Sequence, residues 1–197
     1  MKEQAIDRRI RKTKAQLRSG LARLMQLKTA REITVKELVD EVDINRSTFY
    51  LHYTDIYDML KQTEDDLLQN ITQAITKHPL YEKPKQNAIA CLEEIYRSLS
   101  ENREICNALL GTNGDMAFIK DVEDIIVKSV MKNLAALLPQ ILENPYLPAY
   151  CFSGCLGLIR CWLTEKCPHS PEHMAQLTYR LTINALEIFR GDNALPD

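Results

Sequence analysis

Residues 33–60, ITVKELVDEVDINRSTFYLHYTDIYDML, impose the strongest local constraint in this chain. Thr34 stands three residues before Glu37, the spacing of a capping box: the Thr hydroxyl satisfies the free amide of Glu37, and the Glu carboxylate reaches back to the amide of Thr34. A short helix is expected from there through Val42. Asp43 falls where the chain must turn sharply, and Asp tolerates the left-handed conformation better than most residues. Asn45 is a good N-cap for a second short helix, Arg46 to His52. Val35, Leu38, Val39, Val42, Ile44, Phe49 and Tyr53 can then face one core together, leaving Arg46, Ser47, Thr48, Tyr50 and His52 to face out.

Helical periodicity covers most of the remaining chain. A first helix is expected over 7–27, where Ile10, Leu17, Leu21, Leu24 and Met25 recur at three- and four-residue steps. Its other face carries Arg8, Arg9, Arg11, Lys12, Lys14 and Arg18. A long helix is expected over 55–77. The segment 78–84, HPLYEKP, loses periodicity and reads as a boundary. Further helices are expected over 85–100, 102–110, 115–138, 145–166 and 171–190. Their breaks are marked by Gly111 and Gly114, Pro139, Asn144-Pro145 and Ser170-Pro171. No strand-like alternation persists, so the fold class is all-α, with about nine helices.

The net charge of -2 hides an asymmetry. Residues 1–54 hold 12 Lys/Arg against 7 Asp/Glu, and residues 55–197 hold 13 against 20. A basic head on an acidic body implies that only the head meets a polyanion. The start, MKEQAIDRRIRKTK, lacks the apolar stretch of a secretory leader. The longest apolar run, Cys151 to Leu163, contains Arg160 and is too short to span a bilayer. No membrane association is therefore expected, and a cytoplasmic location with the six cysteines reduced is.

The basic first helix, the T-V-x-E-L opening at Thr34–Leu38, the aliphatic Ile44 after the turn and the T-F-Y-x-H-Y segment at Thr48–Tyr53 together resemble the signature of the TetR/AcrR family of transcriptional regulators. The likeness is close over residues 7–65. Beyond them it lies in helix count and length, with some similarity in the run CLGLIRCWL. The resemblance implies a three-helix helix-turn-helix DNA-binding domain over 1–54. It implies a helical regulatory domain over 55–197, with 55–77 a connecting helix and 85–190 the effector-binding and dimerisation core. Thr34 and Lys36 would touch phosphates, with Lys14 and Arg11 reaching others from the first helix. Arg46, Ser47 and Thr48 would approach base edges behind their cap Asn45, with Arg46 suited to guanine. Tyr50 and His52 would contact the DNA backbone, and Tyr53 would belong to the core. Thr34 and Asn45 act as caps under any reading, and His52 has a packed core histidine as its alternative. The family commonly has Gly where Asp43 stands. It often has a phosphate-contacting Lys where Ile56 stands, so that contact is either missing here or moved, to Lys61 or the first helix.

For the C-terminal half, the resemblance implies a cavity for a small-molecule effector. Candidate lining residues are Leu92, Ile95, Tyr96, Leu99, Ile105, Leu109, Phe118, Phe152 and Trp162. The last two long helices resemble the pair that forms the family's dimeric four-helix bundle, and Ser153, Gly154 and Gly157 would let a partner helix approach closely. A repressor released from a palindromic operator by its effector is the expected function. A TetR-like coactivator that works through protein contacts without operator binding is the alternative. Cys161, Cys167, His169 and His173 suggest a metal or thiol sensor, but their spacing matches no closed zinc motif, so no metal is assigned. A helical Cys/His enzyme lacks an orienting group and a phosphate loop. No enzymatic activity and no bound cofactor is expected.

Overall fold

The computed structural model describes residues 2–131 and 146–191, with side chains over 8–129 and 146–185. Among the described residues it is all α, as expected, with nine α-helices and no strand. The helices are α1 (Lys2–Met25), α2 (Val35–Glu41), α3 (Arg46–Tyr50), α4 (Ile56–Lys77), α5 (Pro84–Glu101), α6 (Arg103–Leu110), α7 (Met116–Ile126), α8 (Tyr146–Thr164) and α9 (Pro171–Gly191).

Most boundaries fall within two residues of expectation. The first helix starts earlier, at Lys2, because Lys, Glu, Gln and Ala are all good helix formers. The helix expected over 115–138 instead leaves α geometry after Ile126 and widens into a π turn over Val127–Met131. Residues 132–138, and the expected breaks at Pro139 and Asn144-Pro145, lie outside the described residues. Glu41 ends α2 one residue early, because Asp43 takes the left-handed conformation, φ 51°, that the turn requires.

The chain forms two compact units. The first gathers α1–α3, α4 through Leu67, α6 and the start of α7 through Phe118. Its core takes Leu17, Leu21 and Met25 from α1, Leu38 and Val39 from α2, Phe49 from α3, Ile56 and Met59 from α4, and Ile105, Cys106 and Leu109 from α6. Side chains of α2 and its C-cap press against α1 at Gly20, where a Cβ would stand 2.3 Å from Val42 Cγ1. Arg23 on α1 pairs with Glu41 on α2 at 2.6 Å, and Arg18 pairs with Asp66 on α4. Asn113 donates to the carbonyls of Met25 at 3.3 Å and Gln26 at 3.4 Å, satisfying acceptors that the end of α1 leaves open.

In the second unit α5 and α8 both pack on α9. Tyr96, Trp162, Leu163, Met174, Ala175 and Thr178 are buried there. The Tyr96 and Thr178 hydroxyls lie 2.7 Å apart, so neither buried polar group is left unsatisfied. Tyr96 and Trp162 meet edge to face, with centroids 5.1 Å apart. Among the described residues no helix is long and apolar enough to cross a membrane.

Candidate nucleic-acid interface

Two caps set the start of the motif. Glu37 accepts from the Thr34 amide at 2.9 Å and the Thr34 hydroxyl at 2.8 Å, and its own amide donates back to the hydroxyl at 3.2 Å. Lys28 adds a 2.6 Å ion pair to the other oxygen. Its bond is the largest cause, ahead of the Thr34 amide and hydroxyl, of the Glu37 carboxyl being held down to about 2. At α3, Asn45 Oδ1 accepts from both the amide and the hydroxyl of Ser47 at 2.8 Å. The single hydroxyl hydrogens of Thr34 and Ser47 thus point into their own helix ends. Toward a ligand both oxygens act as acceptors, which suits an amino group better than a phosphate.

Phe49 is fully buried and fastens α3 to the first unit, with Tyr53 tilted against it at 5.7 Å. On the opposite side Asn45, Arg46 and Ser47 are exposed and Thr48 is half-buried. Tyr50 is 48% exposed and its ring meets the edge of Phe49 at 5.5 Å. The Arg46 guanidinium bonds the Tyr50 hydroxyl through Nη2 at 3.0 Å and Nε at 3.3 Å. Lys14 comes from α1 to stand 5.4 Å from the centroid of the Tyr53 ring. His52 sits half-buried nearby, and burial first, then the Lys14 charge, lowers its pKa. Lys36 is exposed near the start of α2. The fold therefore joins Arg46 to Tyr50, Asn45 to Ser47, and Lys14 to Tyr53.

Ile56 is 4% exposed and packs in the core, so the position where the family often carries a Lys has no cation here. Lys61 pairs with Asp65 at 3.0 Å. Two features escaped the sequence reading although their signals were present. Thr29 and Glu32 repeat the Thr-x-x-Glu capping spacing, with Thr29 N and Oγ1 donating to Glu32 at 3.0 and 2.8 Å. Arg46 and Tyr50 are four apart on one helix, the spacing at which side chains meet.

The residues expected to line an effector cavity are distributed across both units. Ile105, Leu109 and Phe118 are buried in the first. Tyr96 and Trp162 are buried in the second, where Leu92, Ile95, Leu99 and Phe152 are half-buried. An open groove of about 250 Å³ in the second unit is lined instead by Asn70, Gln73, Glu94, Arg97, Ser98 and Glu101. Ser153, Gly154 and Gly157 are exposed on α8. His169 and His173 stack at 4.7 Å, but among the described residues no three His, Cys, Asp or Glu side chains are grouped to hold a metal. Burial raises the thiols of Cys151 and Cys155, and pushes Cys91 up to about 12, away from the reactive thiolate.

Comparison with known families decides the wider question. A TetR-type family model, described as a transcriptional regulator C-terminal region, matches residues 86–184, half of the chain. The chain belongs to the TetR family of transcriptional regulators. This regulator is similar to the uncharacterized HTH-type transcriptional regulator YxbF of Bacillus subtilis strain 168, at 23% identity over 85% of the chain. The chain spans only 44% of that relative's length. Its fold is similar to that of a TetR transcriptional regulator from Streptococcus agalactiae 2603V, with a TM-score of 0.51 and 21% identity over 91% of this chain and 98% of the other. It is also similar to the fatty acid degradation regulator FadR from Bacillus halodurans, with a TM-score of 0.60 and 10% identity over 88% and 95%.

Proposed function

We propose that this regulator is a cytoplasmic repressor that binds a pseudo-palindromic operator as a homodimer and leaves it when a small-molecule effector binds the regulatory half. One observation carries the reading: buried Phe49 fastens α3 by one side while Arg46 and Ser47 stand exposed on the other. A short helix held this way fits the major groove, about 12 Å wide. Lys14 and Lys36 supply phosphate-directed charge, with His52 a further backbone contact. Arg46, Ser47 and Thr48 face the base edges. The open space beside Gly154 and Gly157 supports α8 as part of the dimer interface. The domain division proposed with this function is a DNA-binding head over 1–54 and a regulatory body over 55–197.

The test is fluorescence anisotropy on duplexes selected from a random pool, titrated against salt. Log affinity should fall with log salt at a slope of about -0.9 per phosphate neutralised. Arg46→Ala should relax the preference at one base pair of each half-site. A protein with no salt-dependent affinity for any duplex overturns the reading.

A second reading has its own support. Ile56 is buried where relatives often carry a phosphate-binding Lys, which favours a coactivator that works through protein contacts. Capture of a second regulator by protein that shifts no DNA would favour it.

A further inference from the structure

We infer that Tyr50 is a positioning residue for specificity: it holds the side edge of the Arg46 guanidinium so that the end edge is presented to a guanine. This rests on the operator-binding reading above and names how one base pair would be read.

The donors of Arg46 divide between two edges. A guanidinium has five N–H donors in a planar fork. Two of them, on Nε and Nη2, are directed at the Tyr50 hydroxyl at 3.3 and 3.0 Å. These two donors form the side edge. One Nη1 hydrogen and the outer Nη2 hydrogen form the end edge, and no bond within the described residues takes it. Guanine presents O6 and N7 as adjacent acceptors in the major groove, a pair that one free guanidinium edge matches.

Tyr50 is fitted for this task by its own anchoring. Its ring meets the edge of the fully buried Phe49 ring at 5.5 Å and 85°. The Arg46 Cζ lies 5.5 Å from the Tyr50 ring centroid, so the cation is attracted to the ring as well as to the hydroxyl. A free arginine must be ordered when it meets a base, at an entropic cost to binding. Arg46 is ordered beforehand. The neighbouring cap gives the same direction: Asn45 holds the Ser47 hydroxyl hydrogen, so the exposed start of α3 offers guanidinium donors beside a hydroxyl acceptor.

Tyr50→Phe keeps the ring and removes the acceptor. The experiment selects a site from duplexes with a random central region, finds the guanine whose preference Arg46→Ala abolishes, and measures anisotropy on that duplex with guanine, adenine or 7-deazaguanine at that position. Tyr50→Phe should cut the guanine preference about fivefold, the scale of ordering one long side chain. It should leave affinity for the adenine duplex unchanged and add nothing in an Arg46→Ala background. Three results overturn the inference: an unchanged guanine preference, an equal loss on every duplex, or a further loss on top of Arg46→Ala. Failure of the wild-type chain to enrich any sequence overturns the operator-binding reading itself, and this inference with it.

Discussion

Lys14 and Tyr53 join the basic face of α1 to the segment that follows α3. The Lys14 ammonium stands 5.4 Å from the Tyr53 ring centroid, and Tyr53 is buried beneath it. The aliphatic stem can lie along apolar surface while the charge stays at the rim. The ring thus holds a cation at a defined place without neutralising it.

A phosphate-directed Lys14 predicts a sequence-blind effect. Lys14→Ala should weaken binding to specific and random duplexes alike and make the salt slope shallower by about 0.9 per protomer bound, roughly 1.8 for the dimer. It should cost the fold only about 0.5–1 kcal/mol, the scale of an exposed cation–π contact. Lys14→Arg should keep the slope. Salt titration of both variants is the check, and a loss confined to one sequence would assign Lys14 to base reading instead.

Gly20 predicts a packing effect. A Cβ there would lie 2.3 Å from Val42 Cγ1 and 3.0 Å from Leu38 Cδ1. Alanine in a helix gains about 1 kcal/mol over glycine. Overpacking a filled interface costs about 1–3 kcal/mol, and the branched Val42 has few rotamers with which to yield. The clash should win, so Gly20→Ala should lower stability by about 1 kcal/mol in urea unfolding. Val42→Ala in the same chain should recover part of the loss. A more stable Gly20→Ala protein would contradict the close approach of α1 and α2.

These residues show what the sequence made legible. The cap at Thr34, the turn at Asp43 and the cap at Asn45 are chemistry within three or four residues, so spacing alone located them. The inward set of the motif was equally legible, because Leu38, Val39 and Phe49 have polar neighbours that mark the outer face. The regulatory half offered no such contrast. Leu109 and Tyr96 both sit on apolar helical faces, yet one is buried in the first unit and the other in the second. Periodicity identifies a buried face and is silent on which helix covers it. The Arg46–Tyr50 pair was visible as a spacing, but both residues read as independent DNA contacts until the side chains were placed.

His52 predicts a pH dependence with a definite sign. Burial and then the charge of Lys14 depress its pKa below the ordinary 6.5, so the folded state favours the neutral ring. In the window just below 6.5 the unfolded chain binds more protons than the folded one, and stability must rise with pH there. The contribution is complete above 6.5 and is lost as pH falls through the depressed folded value. His52→Gln should flatten that part of the curve, and Lys14→Ala should flatten it less, since the charge is the smaller cause. Urea unfolding from about pH 5 to 8 measures the difference. An identical curve for wild type and His52→Gln would remove the assigned environment.

Gly154 and Gly157 predict the assembly. Among the described residues, nothing beyond the helix's own backbone and the adjoining residues lies within 4 Å of a Cβ built at either position. No described neighbour requires glycine there, although each glycine costs a helix about 1 kcal/mol relative to alanine. A partner helix at close range supplies the missing reason, and the exposed Tyr150 on the same helix and Leu181 on α9 supply apolar surface for it to cover. Gly157→Leu should therefore leave the helical circular dichroism of the chain intact while shifting sedimentation from dimer to monomer. Operator affinity should fall with the dimer, because half-sites about 34–36 Å apart need two recognition helices on one particle. Retained dimer with retained affinity would show that these glycines face no partner. Collapse of the helical signal would show that they pack inside the chain after all.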